Sequence, residues 1–177
     1  MYIWTAINIE SQLTDVKDEI KNTESRVGIK GSVVNLPLHV SLKISFYVSD
    51  DISSDVIRTI IDFFENLGPF YFEPVGIEKE GTIVWIRMKD SEKLSHIHYT
   101  LDQILLDKFN VIPHKFDLEY KFHATLYMDS DVEKISCAYE QIKDIPLPKK
   151  LTANHFVIGT SETGAPGTYK VAHNIKL

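Results

Sequence analysis

The sequence predicts an α+β fold built as one two-lobed domain over residues 1–177, with two antiparallel-rich sheets forming a central groove and helices on the outer faces. Three observations support this prediction. Strand-like and helix-like stretches occur in a similar order twice along the chain, so the halves resemble an internal duplication. No linker or low-complexity stretch separates the halves, and 177 residues suit a single domain with a shared core. Two matched sheets that face each other would bury the apolar faces of both halves in one core.

The first half begins with residues 2–9, which are rich in aromatic and β-branched side chains and indicate a strand. Apolar residues at helical spacing over 13–27 predict an amphipathic helix. Strict alternation over 38–46 predicts a strand with one buried and one polar face. A second helix is predicted after Ser53, and Gly68 with the following proline ends it.

The second half repeats this order of elements. A strand predicted over 70–80 completes the first half, and the second half has strands predicted over 82–89, 122–128, 150–160 and 168–177. Helices are predicted over 91–110 and, after a sequence with the spacing of a capping box at 130–133, through Ile142. The strand at 122–128 alternates like the one at 38–46, and it occupies the corresponding place in the second half.

Composition narrows the functional class. With 19 Lys and Arg against 25 Asp and Glu, the net charge is -6, which disfavours binding along a nucleic-acid duplex but permits a small phosphate ligand in a local pocket. Cys137 is the only cysteine, which excludes an internal disulfide, and we expect its thiol to be buried. Neither a signal peptide nor a membrane span is recognisable, so we expect a cytoplasmic protein with no membrane partner.

Two short motifs carry the chemistry. The first alternating strand contains His39-Val40-Ser41-Leu42, and the second contains His123-Ala124-Thr125-Leu126. Because strand side chains alternate, each His projects from the same face as the hydroxyl residue two positions later. Two chance matches to this pattern are expected in roughly two of a thousand sequences of this composition.

Paired imidazoles and hydroxyls suit phosphodiester displacement. An imidazole titrates near neutral pH, so one ring can accept a proton from the attacking group while the other protonates the leaving oxygen. Ser and Thr hydroxyls can donate hydrogen bonds to the non-bridging phosphoryl oxygens, where negative charge builds up in the transition state. This chemistry needs no metal ion and no cofactor.

The paired motifs resemble those of the 2H phosphoesterases, which include bacterial 2'-5' RNA ligase-like proteins and 2',3'-cyclic nucleotide phosphodiesterases. The separation of the motifs, the opening aromatic strand with Ala6, and the approach Asn35-Leu36-Pro37-Leu38 extend the resemblance over the whole chain. The resemblance implies a bilobed, pseudo-twofold fold with a central groove. It also implies a metal-independent catalytic site made of His39, Ser41, His123 and Thr125. Ser41 stands where Thr is commoner, but it keeps the hydroxyl donor.

Three further residues are candidate substrate-binding groups. Lys43 and Tyr127 continue the polar faces of the two motif strands, from which they could reach a phosphate or a ribose. The alternative is that they are strand-end residues in solvent. Trp4 lies on the opening strand and could stack on a base, although packing in the core is the stronger expectation.

These features lead to a functional hypothesis. We expect a monomeric phosphodiesterase that acts on a 2',3'-cyclic phosphate or a 2'-5' linkage in a small nucleotide or at an RNA terminus, and that does not bind long duplexes. Two alternatives remain open: hydrolysis of cyclic oligonucleotide messengers, and a nucleotide-binding module without turnover. RNA ligation would use the same site in the reverse direction. The sequence does not tell which His is the acid and which is the base.

Overall fold

The computed structural model describes residues 1–31, 36–118 and 120–177, and it has the α+β architecture that the sequence predicts. Its described strands are β1 (Tyr2–Asn8), β2 (His39–Tyr47), β3 (Phe70–Phe72), β4 (Pro74–Glu80), β5 (Ile83–Met88), β6 (His123–Met128), β7 (Leu151–Ala153), β8 (His155–Ser161) and β9 (Lys170–Lys176). Its described α-helices are α1 (Thr14–Val27), α2 (Asp50–Glu65), α3 (Glu92–Phe109) and α4 (Val132–Ile142).

The strands form antiparallel sheets whose order crosses the two halves of the chain. One sheet has the order β2-β1-β8-β9, a second has the order β4-β5-β6, and β3 pairs with β7. The closing hairpin β8–β9 therefore extends the sheet of the first motif strand, whereas β5 pairs with the second motif strand on one side and with β4 on the other. As a result, each sheet takes strands from both halves of the sequence.

Two stretches predicted as single strands are divided in the structure. Residues 70–80 become β3 and β4, and residues 150–160 become β7 and β8. The reason is that each stretch serves two sheets, since its first part pairs in the β3–β7 ladder and its second part enters a larger sheet. Pro74, which has no N–H to donate, stands at the start of β4.

Helix starts also differ from the prediction in detail. Helix α2 begins at Asp50 rather than after Ser53, with two aspartates in its first turn, where the helix dipole favours negative charge. Helix α4 is capped by Asp131, whose carboxylate accepts hydrogen bonds from the backbone N–H groups of Glu133 and Lys134. A one-residue shift of the cap is within the precision of such patterns.

One large apolar cluster takes residues from both halves of the chain and packs the helices against the sheets. A smaller cluster of Trp4, Ala6 and Val157 lies apart from it, on the strands around β1. The prediction that Cys137 is buried is wrong: helix α4 buries Ile135, Ala138 and Ile142, and this stripe leaves the thiol exposed. Within the described ranges, no helix combines the length and the apolar character needed to cross a membrane.

Candidate active site

The two motif strands bring His39 and His123 near each other. Strands β2 and β6 belong to different sheets, yet they lie against each other, and each carries its histidine as its first residue. Burial lowers the pKa of His39, the carbonyl of Pro37 opposes this effect, and the nearby His123 lowers the pKa further. His123 is therefore close enough to His39 to influence the charge of that imidazole.

Both imidazoles are held in the same way by the backbone. Nδ1 of His39 lies 2.7 Å from the carbonyl oxygen of Pro37, and Nδ1 of His123 lies 2.7 Å from that of Lys121. In each case the carbonyl belongs to the residue two positions earlier. Because a carbonyl oxygen only accepts, each Nδ1 carries the hydrogen, and Nε2 of the neutral ring keeps its lone pair. Both rings are thus prepared to exchange a proton at Nε2.

A tryptophan packs against each histidine. The rings of Trp4 and His39 have centroids 4.6 Å apart, and so do those of Trp85 and His123. Trp85 was not predicted from the sequence, since only the pairing of β5 with β6 places it beside His123.

Burial lowers the pKa of His123, whereas the carbonyl of Lys121 and the carboxylate of Glu80 raise it.

The motif hydroxyls lie on the same side as the histidines. Ser41 pairs with Ala6 across the β1–β2 ladder, and Thr125 pairs with Trp85 across the β5–β6 ladder. Both are half-buried, while the intervening Val40 and Ala124 are fully buried. The Ser41 hydroxyl shares a hydrogen bond with the Tyr120 hydroxyl, and burial raises the pKa of Tyr120, which keeps that phenol protonated.

An irregularity directly after each motif changes the direction of the next side chains. Along β2, Ser41 pairs with Ala6, but Lys43, two residues later, pairs with Thr5, only one residue away. The same step occurs in β6, where Thr125 pairs with Trp85 and Tyr127 pairs with Val84. Each extra residue is a β-bulge, which reverses the alternation and turns the following side chain towards the opposite face.

The structure places Lys43 and Tyr127 in the interior, which does not support the expectation that they bind substrate. Lys43 is 1% exposed, and its ammonium forms ion pairs with Asp102 at 2.9 Å and with Asp117. Tyr127 is fully buried, and its hydroxyl donates a hydrogen bond to the carbonyl of Ile20 at 2.9 Å. Both side chains stabilise the interior behind the motif strands and do not reach a ligand.

Lys43 belongs to a buried charged cluster with His98, Asp102 and Asp117. The two ring nitrogens of His98 lie 2.7 Å and 2.9 Å from the carbonyl oxygens of Leu42 and Asp117, so the backbone fixes the orientation of this buried ring. Burial raises the pKa of Asp102, and Lys43 opposes that effect. One oxygen or nitrogen from each of His98, Asp102 and Asp117 lies within 4.8 Å of the others, as in a metal site, but the Lys43 ammonium supplies the cation there.

Trp4 packs in the interior, which is the stronger of the two expectations for this residue, rather than standing open to a base. It is 5% exposed, because one side of its indole lies on Gly159 and its ring packs against His39. An indole covered in this way offers no open face for a base. Trp4 supports His39 instead.

Asn35, the first residue of the approach segment 35–38 before His39, lies outside the described residues.

A cavity of about 770 Å³ lies at the other end of β2, between residues 43–52 and residues 109–115. Its lining contains none of the four motif residues. We place the candidate site at the paired histidines rather than in this cavity, because the matched imidazoles and hydroxyls carry the chemistry.

Comparison with known proteins gives one family and several proteins of similar fold. A sequence model of the 2'-5' RNA ligase superfamily matches residues 10–165. Escherichia coli LigT, crystallised with 3'-AMP, has a similar fold, with a TM-score of 0.59 at 14% identity over 99% of this chain and 96% of LigT. TT0787 of Thermus thermophilus has a similar fold, with a TM-score of 0.60 at 13% identity over 100% of this chain and 98% of TT0787. Usb1 of Kluyveromyces marxianus has a TM-score of 0.51 at 9% identity over 99% of this chain and 98% of Usb1. A search of curated protein sequences gave no significant match.

Proposed function

Since the chain belongs to the 2'-5' RNA ligase superfamily, the 2H phosphoesterases, we propose that it is a metal-independent phosphodiesterase acting on 2',3'-cyclic phosphates or 2'-5' linkages of RNA ends or small nucleotides. Membership of this superfamily supports phosphodiesterase chemistry in general. The observation that carries the finer proposal is the matched anchoring of His39 and His123 through Nδ1, which leaves both Nε2 atoms available for proton transfer.

In the proposed reaction, His39 is the general base. Burial lowers its pKa and the neighbouring His123 lowers it further, so the ring is neutral at working pH and Nε2 can take a proton from the attacking water. His123 is the proposed general acid: burial lowers its pKa as well, but the carboxylate of Glu80 opposes this effect, whereas the charge that acts on His39 is that of His123 and works in the same direction as burial. Its Nε2–H protonates the oxygen that leaves phosphorus, which is the 2' or 3' oxygen of a cyclic phosphate and the 2' or 5' oxygen of a 2'-5' linkage.

The hydroxyls of Ser41 and Thr125 stabilise the phosphoryl oxygens. The Ser41 hydroxyl is hydrogen-bonded to the phenol of Tyr120, which stays protonated because burial raises its pKa, and this bond holds the Ser41 side chain in place beside His39. Thr125 holds the corresponding place on the other motif strand. Donors aimed at developing negative charge lower the barrier in a site from which water is partly excluded.

Small nucleotides are the substrates that the charge of the chain permits. A net charge of -6 disfavours long nucleic acids, which bind by neutralising many phosphates in sequence. LigT has been crystallised with 3'-AMP, NADP+ and ATP, which supports a nucleotide ligand for a chain of the same fold.

The test is a substrate panel incubated with the protein in the presence of a chelator. The panel contains nucleoside 2',3'-cyclic phosphates, 2'-5' and 3'-5' dinucleotides, and cyclic dinucleotides. We expect turnover of the cyclic phosphate or of the 2'-5' dinucleotide, and a 2'- or 3'-monoester product identifies the leaving oxygen. Turnover of cyclic dinucleotides alone would reassign the substrate, and tight binding of nucleotides without any product would indicate a binding module.

A further inference from the structure

The two halves of the site differ at the residue that faces each histidine from the neighbouring strand. Arg87 of β5 pairs directly with His123, whereas Asn8 of β1 pairs directly with His39. Side chains of directly opposed residues project from the same face of an antiparallel ladder. The His123 half therefore presents a guanidinium beside its imidazole, and the His39 half presents a neutral amide.

The guanidinium of Arg87 is only partly engaged. Its side chain is 40% exposed, and Nε donates a hydrogen bond to Oε1 of Glu78 at 2.7 Å. No bond joins its two terminal nitrogens to another residue of the described ranges. An ion pair this exposed contributes only about 0–1 kcal/mol, so Glu78 orients Arg87 without competing strongly for an anion.

The direction of this ion pair places the charge away from the reacting centre. Glu78 belongs to β4, which pairs with β5 on the side away from β6. The hydrogen bond from Nε to Glu78 thus draws the guanidinium towards β4 rather than towards His123. A cation at that place suits a phosphate next to the one undergoing reaction. Its planar fork of donors matches two phosphate oxygens.

We propose that Arg87 binds a second phosphate of the substrate, the one on the 5' oxygen of the reacting nucleotide, so that the enzyme prefers 5'-phosphorylated nucleotides and RNA ends to nucleoside cyclic phosphates. This inference rests on the proposed function of the same site. In an RNA end the 5' phosphate is the link to the preceding nucleotide, whereas in a free nucleotide it is a terminal phosphate. Both present non-bridging oxygens to the same guanidinium.

The experiment compares a nucleoside 2',3'-cyclic phosphate, the same nucleoside with a 5'-phosphate, and a dinucleotide ending in the cyclic phosphate. Each is assayed with the unmodified protein, with Arg87→Gln, and with Lys89→Gln, which removes another exposed Lys–Glu pair close by. We expect Arg87→Gln to lower kcat/KM about tenfold for the two substrates that carry a 5' phosphate, through KM, and to leave the nucleoside cyclic phosphate unchanged. Lys89→Gln should change none of the three.

Several outcomes separate the inference from its premise. Equal losses on all three substrates, or no loss on any, would overturn the role of Arg87 and leave the proposed function in place. Absence of turnover with all three by the unmodified protein would overturn the proposed function itself, and the inference with it. A loss confined to one 5'-phosphorylated substrate would show which form of the phosphate Arg87 binds. If Arg87→Gln does not fold by circular dichroism, Arg87→Lys supplies the comparison, because it keeps the charge and loses the planar fork.

Discussion

The indole of Trp4 lies on Gly159 so closely that a Cβ atom at position 159 would come within 2.3 Å of its Nε1 atom. The ring of Trp4 packs against the imidazole of His39, with ring centroids 4.6 Å apart. A glycine on β8 therefore sets the position of an indole on β1, which in turn supports the proposed general base on β2. Each of the three residues comes from a different strand of one sheet.

Gly159→Ala should reduce activity by displacing Trp4 and, through it, His39. The new methyl group meets a large, rigid ring with no room to move aside, since Trp4 is 5% exposed. We expect a loss of about 1–3 kcal/mol in the free energy of unfolding, together with a lower kcat, measured by chemical denaturation and by steady-state assay. Gly76→Ala is the control, because a Cβ there meets nothing within 4 Å. An unchanged kcat in Gly159→Ala would show that Trp4 does not position His39.

His39→Ala and His123→Ala should each lower kcat by about 10²–10⁴-fold, as expected for the loss of a general base or a general acid. The measurement is turnover of the substrate identified by the panel. His96→Ala is the control, because this exposed histidine on α3 belongs to neither motif. Retention of full activity in either motif variant would contradict the proposed mechanism, provided that circular dichroism shows the variant to be folded.

Removing Glu80 should alter the pH dependence of catalysis. Its carboxylate raises the pKa of His123, so Glu80→Gln lowers that pKa and the ring loses its proton at a lower pH. Because the general acid must be protonated, the alkaline limb of the pH profile of kcat/KM should move to lower pH. Glu73→Gln, which removes an exposed carboxylate paired with Lys89, should leave the profile in place. A shift of the acidic limb instead would assign the base role to His123.

Lys43→Met should destabilise the fold strongly. The substitution leaves the carboxylates of Asp102 and Asp117 buried without their ammonium partner, which typically costs about 3–5 kcal/mol in the free energy of unfolding. Lys89→Met removes an exposed ion pair and should cost less than about 1 kcal/mol. Both values come from urea denaturation. Similar losses in the two variants would contradict the structural role assigned to Lys43.

Periodicity predicted the local elements of the fold well, because alternation and helical spacing reflect which side of each element is buried. The strand around His39 and the strand around His123 were found where alternation placed them. The same rule failed two residues after each motif hydroxyl, at Lys43 and at Tyr127. A bulge depends on the ladder with the neighbouring strand, so the residues of one strand do not reveal it.

The four motif residues of the candidate site were predicted from the sequence, but the residues that support them were not. The supporting Trp85 and the adjacent Arg87 are ordinary members of a strand in the sequence, and their relation to His123 comes from the pairing of β5 with β6. The exchange of strands between the halves follows from the same kind of long-range pairing, in which β8 joins β1. No local pattern encodes these partners, because backbone hydrogen bonds between strands are the same for any sequence.

Residue types and their spacing establish the chemistry available to this protein: two imidazoles and two hydroxyls, each pair kept on one side of a strand by an apolar alternation that must be buried. Long-range packing determines which groups surround them. Contacts between strands distant in the sequence place an indole against each ring, turn Lys43 inward to balance buried carboxylates, and set a guanidinium opposite His123 but a neutral amide opposite His39. Side-chain chemistry is a local property, whereas the surroundings that set charge and orientation are created only when distant segments pack together.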